Sequence, residues 1–342
     1  MNKILLALTI VFILTACTSS GPRTLTIMTH DSFAVSDEVL AAFEEEHAVE
    51  VEILLAGDAG TMLNSAILAR GAPLADVLFG VDNTYLSRAL EEEIFEPYAS
   101  PLLAGIPDEF KLDPANGALP VDYGDVCLNY EIAYFEQGDL RVPASLEDLL
   151  KPEYTGLLTV QNPATSSPGL AFLLATIGHF GTDGYLDFWA GLVENEVSVV
   201  NDWETAYYNE FSQWGGPDPL VVSYGSSPPF EVIFAEEPID APPTGVITAD
   251  GACFRQIEFA GILAGTENRE LAEAWIDWML SVPFQEDIPL NMFVFPVNPE
   301  AELQAEFADY LAIPENPIRL DPAQIAANRE AWLRAWTETV LR

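Results

Sequence analysis

The residues with chemical capacity in this chain are carboxylates and hydroxyls at the ends of short apolar runs. His30-Asp31-Ser32, Gly57-Asp58-Ala59-Gly60 and Val81-Asp82-Asn83 each follow a run that reads as a strand. Ligands of α/β sheets bind beyond the carboxyl ends of strands, so Asp58, with Asp82 and Asp31 behind it, is expected to converge there. Such carboxylates accept hydrogen bonds from amino groups or balance a positive charge; each also has an ordinary use as a loop or cap residue. Ser166-Ser167-Pro168 opens a later apolar run. Proline suits the first helical position, so the two hydroxyls stand at a helix start, where they cap the helix or meet an anion such as phosphate.

Other chemistries lack their residues. His30, His47 and His179 are distant from one another and form no His-x-x-x-His pair, no Gly-Lys-Ser or Gly-Lys-Thr loop is present, and no nucleophile motif occurs. A binding protein without a cofactor is expected, not an enzyme. The formal charge is −41, with 13 Lys and Arg against 54 Asp and Glu. Nucleic acid and anionic lipid headgroups need a cationic surface and are excluded as partners. A negative surface instead concentrates cationic solutes, and it also keeps a protein soluble.

The elements that must carry these residues alternate. Residues 24–28, 49–55 and 75–80 read as strands, with a helix capped by Ser36, with Asp37 and Glu38 in its first turn and Val39, Leu40 and Phe43 on one face, and another at 61–70 between them. This order implies a mainly parallel sheet covered by helices. A second unit begins near Asp122: strands at 119–130, 156–161, 219–224 and 253–263, helices at 145–150, from Pro168 to Phe180, and at 185–193. Residues 269–280 are amphipathic, with Leu271, Ala274, Trp275 and Met279 on one face, and 322–341 form a closing helix. The Pro-rich, acidic stretch 235–251 reads as a surface loop.

The first residues form a short export signal. Lys3 precedes an apolar run from Ile4 to Leu14 that is too short to span a bilayer, and Ala16-Cys17 closes it. This resembles a lipoprotein signal, which implies cleavage before Cys17, a lipid on its thiol and a tether over residues 17–22. The body then works outside the cytoplasm, where the remaining thiols, Cys127 and Cys253, form a disulfide or stay as buried free cysteines.

Several segments resemble the extracytoplasmic thiamine-binding proteins of ABC transporters: Thr29 to Phe33, Gly80 to Asn83, Pro120 to Gly124, Thr165 to Leu170, Asp202 to Tyr207, Ser223 to Pro228, and Ile288-Pro289 with Phe295-Pro296-Val297. The resemblance implies an α/β, two-lobed periplasmic-binding-protein-like fold of type II, two mixed sheets joined by hinge strands at 122–130 and 253–263. It places a signal at 1–16, lobe 1 at 23–121 plus 258–300, and lobe 2 at 122–257 plus 301–342. Cys127 and Cys253 then lie on strands that are able to be neighbours. It further implies a monomer that takes thiamine, or thiamine phosphates, to a permease served by a separate ATPase.

Thiamine carries a quaternary thiazolium that donates no hydrogen bond, so aromatic faces hold it best. Trp203 and Tyr224 match family pocket aromatics. Phe293 stands where the family has Trp, Phe230 where it has Tyr, and His30 where it has Tyr. A neutral His30 stacks on the cation, whereas a protonated one repels it. Asp58 is the expected acceptor for the pyrimidine amino group, with Asp82 and Asp31 as second choices, and Ser166 and Ser167 are expected to face a phosphate. Tyr207 belongs to the Trp203 segment. Adjacent tyrosines such as Tyr207-Tyr208 also occur in ferric-ion-binding relatives, where His30 or Asp58 would complete an iron site. A polyamine binder would use the same aromatic walls and carboxylates, and an aminopyrimidine-processing enzyme of this fold would need a nucleophilic cysteine.

Overall fold

The computed structural model describes residues 23–342. The expected export signal, Cys17 and the expected tether lie outside them. The strands are β1 (Arg23–Thr29), β2 (Val49–Leu55), β3 (Val77–Asp82), β4 (Phe95–Glu96), β5 (Leu119–Glu131), β6 (Leu158–Gln161), β7 (Ser198–Val200), β8 (Leu220–Tyr224), β9 (Thr244–Ile247), β10 (Phe254–Leu263) and β11 (Phe295–Pro296). The helices are α1 (Asp37–His47), α2 (Ala59–Leu68), α3 (Leu86–Glu91), α4 (Ile132–Gln137), α5 (Ser167–Glu194), α6 (Ser227–Ile233), α7 (Arg269–Leu280), α8 (Val282–Met292), α9 (Ala305–Tyr310) and α10 (Pro322–Val340).

The chain forms two α/β lobes. The strands run in the order β2-β1-β3-β10-β5-β8-β6-β7. At one end β1 pairs parallel with β2 and β3; at the other β6 pairs parallel with β7 and β8. Antiparallel β5 and β10 join the two ends. With 13 and 10 residues they are long enough to pair with strands of both lobes, so the two expected sheets are continuous through them. Both linkers are buried along most of their length although each carries polar residues, among them Asp122, Asp125 and Asn129 on β5 and Gln256 and Glu258 on β10.

Cys127 and Cys253 are joined by a disulfide, with Cα atoms 4.2 Å apart. Their neighbours Val126 and Phe254 pair across β5 and β10, which brings the two cysteines side by side where the lobes meet.

Local differences from the sequence expectation have physical causes. The two helices expected at 168–180 and 185–193 are one element, α5, bent at Gly181, whose φ of 74° suits glycine. The stretch 235–251 is not all loop, since β9 pairs with β5 and supplies the edge that Tyr130 covers. Residues 145–150 form only a short 3-10 turn, at Leu146–Leu150. Ser36 does not cap α1 with its side chain; its own N–H donates to Asp287 at 2.8 Å. The closing helix α10 packs on both lobes. Trp336 meets Trp189 of α5 edge-on at 5.4 Å, while the Arg329 guanidinium lies 5.9 Å over the Tyr85 ring just before α3.

Candidate functional site

The carboxyl ends of β1, β2, β6, β7 and β8 surround one cavity. Its enclosed space is about 60 Å³, that of a narrow cleft. Trp203 and Tyr224 form its aromatic wall, Met292 and Val294 an apolar one, and Pro168 a third. Its charged lining is Asp31, Asp58, Asp202, Glu204 and Glu258, with His30; among the described residues no lysine or arginine lines it.

Each wall residue is held from behind. The Trp203 ring stacks on Tyr207 with centroids 5.1 Å apart and planes at 14°, and its indole N–H donates to Ser223 Oγ at 3.0 Å. Tyr224 meets Trp203 at 65° and 6.2 Å, and its ring rests on Gly124, where a Cβ would come within 2.9 Å. A relay of side chains crosses the floor. The Tyr224 hydroxyl donates to Gln256 at 3.4 Å, Gln256 Nε2 donates to Glu258 at 3.0 Å, and Glu258 lies 3.5 Å from His30 Nε2. Gly80 has a φ of +100°, and a Cβ there would fall 2.2 Å from His30 Cδ2, so only glycine admits the imidazole at this depth.

Asp58 spans the cleft. Its Oδ1 accepts from Ala59 N at 2.7 Å, capping α2, and from Ser167 N at 3.3 Å; its Oδ2 accepts from Trp203 N at 3.3 Å. The carboxylate thus occupies the start of α5. Burial pushes its pKa up, against the hydrogen bonds that favour the charged form. For His30, burial acts downward, but Glu258 and then Asp58 and Asp31 outweigh it and hold the imidazole above its ordinary value.

Beneath the floor, Glu258 pairs in register with Asp82 of β3 on one side and Asp122 of β5 on the other. Three carboxyl groups therefore share one rung of the sheet, all buried. The β10 register slips after Glu258 against β5 and after Phe259 against β3, bulges of the kind that re-aim side chains beside functional sites. Burial raises the Asp82 carboxyl to about 7, with Thr84 opposing and Glu258 adding to the shift. Burial with Glu258 drives Asp122 well above the usual range.

The family described as bacterial extracellular solute-binding protein matches residues 72–325. The chain belongs to this family of solute-binding proteins. It is 30% identical over 335 residues to a thiamine-binding periplasmic protein of Salmonella typhimurium, covering 96% of this chain and 97% of that one. It is also 30% identical over 324 residues to a protein of that name from Escherichia coli, covering 93% and 94%. A solved periplasmic thiamin binding protein superposes with a TM-score of 0.82 at 27% identity, covering 93% of this chain and 96% of that one.

Within this solute-binding protein the expected site residues divide. His30, Asp58, Ser167, Trp203 and Tyr224 line the cavity, as does Asp31. Asp82 does not: it is wholly buried below the floor and accepts from Thr84 N at 2.7 Å. Ser166 is wholly buried beside Asp58, its hydroxyl without an aligned partner among the described residues. Tyr207, Phe230 and Phe293 line a second cavity of about 540 Å³, with Tyr208, Trp214 and Glu231. The Trp203–Tyr207 stack is the partition between the two spaces, one ring facing each. Phe293 sits at a φ of 63° between Met292 and Val294, which point to the first cavity while its own ring packs on Phe230 at 4.2 Å.

The rival chemistries fit this geometry poorly. The Tyr207 hydroxyl donates to buried Glu231 at 2.7 Å, and burial plus that carboxylate raise its pKa far above the ordinary phenol. Tyr207 is thereby committed to Glu231, while Tyr208 stands at 85° to it with ring centroids 5.3 Å apart. Cys127 and Cys253 are consumed by the disulfide, so neither is a nucleophile. Sequence reasoning missed Glu258 and Glu204. A carboxylate between apolar Ile257 and Phe259 in the strand 253–263 was the available signal for the first.

Proposed function

We propose that this chain is the thiamine receptor of an ABC importer, a non-catalytic protein that closes on its ligand and hands it to a permease driven by a separate ATPase. The cavity lining carries the reading: aromatic faces and five carboxyl groups, with no lysine or arginine among the described residues, select an organic cation. The thiazolium lies against Trp203 and Tyr224, where each aromatic face contributes roughly 0.5–2 kcal/mol. Glu258 supplies the counter-charge, and exposed Glu204 at the mouth accepts from the pyrimidine amino group. Asp58 is already engaged by three N–H groups, so its role is to hold the lobes together and not to accept from the ligand. Because its carboxylate fills the start of α5, a phosphate ester gains no helix N-terminus there, and free thiamine is preferred over its phosphates.

The names of the relatives agree with this ligand. Lobe 1 is assigned to residues 23–121 and 258–300, lobe 2 to 122–257 and 301–342. The protein is a monomer held outside the cytoplasm by lipid on Cys17. Titration calorimetry with thiamine, thiamine diphosphate and putrescine tests the ligand; micromolar or tighter thiamine binding, about 8 kcal/mol or more, is expected. Binding of putrescine with thiamine inert would move the assignment to a polyamine receptor. Cys17→Ser should shift the protein from the membrane fraction to the soluble one.

A further inference from the structure

We propose that His30 and Glu258 form an exchangeable ion pair: imidazolium neutralises Glu258 in the empty cleft, and an incoming organic cation takes its place and releases the His30 proton to solvent. This rests on the cationic ligand assigned above. The balance is one for one. Protonated His30 paired with ionised Glu258, plus the cation, gives neutral His30, the cation paired with ionised Glu258, and one free proton.

The geometry supports such an exchange. His30 Nε2 lies 3.5 Å from Glu258 Oε2, sealed from water and with no aligned hydrogen-bond partner among the described residues. Gly80 leaves the ring no Cβ to ride over, and Phe79 packs on it at 5.6 Å, so the imidazole has a fixed seat. Both residues line the cavity, so the ligand's charge and the imidazolium compete for one carboxylate. Two cations at one buried anion repel; a quaternary ligand cannot lose its charge, and the imidazole can.

The described groups facing His30 are all acidic or neutral. Asp31 comes from its own loop, Asp58 from the start of α2, Glu258 from β10 and Glu204 from beyond β7. Asp82 on β3 and Asp122 on β5 flank Glu258 from below, and Tyr224 on β8 reaches it through Gln256. Together they favour imidazolium in the empty cleft. Asp82 and Asp122 are the competing sources of a released proton, and the test must separate them from His30.

Thiamine is titrated calorimetrically into the full chain between pH 6 and 8.5, in buffers of unequal ionisation enthalpy. Near one proton released per thiamine is expected at the acid end, falling to zero at the alkaline end. The Kd should weaken about tenfold per pH unit below the His30 pKa and level off above it. His30→Gln should abolish both the release and the slope, read at thiamine concentrations raised to saturate the variant. Release that persists in His30→Gln places the proton on the Asp82–Asp122 rung and overturns the exchange, as does binding to the wild-type chain with no release. If thiamine does not bind at all, the ligand assignment fails separately. The ion pair is then read by NMR of the His30 ring in the empty protein: titration above about 6.5 that falls in Glu258→Gln supports the pair, and titration below about 6.5 overturns it.

Discussion

The backbone N–H of Trp203 donates to the carboxylate of Asp58 at 3.3 Å across the cleft. Asp58 follows β2 at one end of the sheet order and Trp203 follows β7 at the other, so a contact between lobes and an aromatic wall share one residue. Asp58→Ala removes this latch together with the α2 cap, itself worth about 0.5–2 kcal/mol. Ligand-free Asp58→Ala should show a larger radius of gyration by small-angle scattering and bind thiamine about tenfold or more weakly. An unchanged radius and affinity would show that this hydrogen bond does not latch the lobes.

Trp203→Ala deletes the ring that faces the cavity and separates it from the second space. A loss of at least tenfold to hundredfold in thiamine affinity is expected, about 1.4–2.8 kcal/mol. Trp203→Phe should recover part of it, because a smaller aromatic face remains. Phe230→Ala, confined to the second cavity, should change affinity far less; equal losses at both positions would show that the ligand occupies both spaces.

Acidic pH should stabilise this protein. Asp82 titrates at about 7 when folded, against about 4 for an exposed carboxyl, so the folded state binds more protons between these values. Glu231, raised to about 7 by burial, acts in the same direction. Their contribution is complete below about pH 4 and is lost as pH rises through about 7. The Tm should fall between pH 5 and pH 8, and Asp82→Asn, which keeps an acceptor for Thr84, should flatten that fall. A Tm that rises over this interval contradicts the buried rung.

The Cys127–Cys253 bond closes a loop with a sequence separation of 126 residues where β5 and β10 join the lobes. Cys127→Ser with Cys253→Ser should cost roughly 2–5 kcal/mol in denaturant unfolding. Thiol titration of the unfolded wild-type chain should find neither cysteine reactive until a reductant is added.

The sequence by itself determined the alternation of strands and helices, the long strands at 119–130 and 253–263, and the strand-end loops that carry His30, Asp58 and Asp82. These are local properties: period-two and period-3.6 patterns, caps and turn residues are written in consecutive positions. The helix 269–280 is legible to the residue because Leu271, Trp275 and Met279 repeat on one buried face. Tertiary structure alone decided which side chains share a space. Glu258 meets Asp82 and Asp122 only because three strands distant in sequence fall into one register, and a one-residue slip would turn the carboxyl to the other face. Likewise, whether an aromatic faces the first cavity or the second depends on ring orientation across the Trp203–Tyr207 stack and on the φ of Phe293, neither of which composition or spacing encodes.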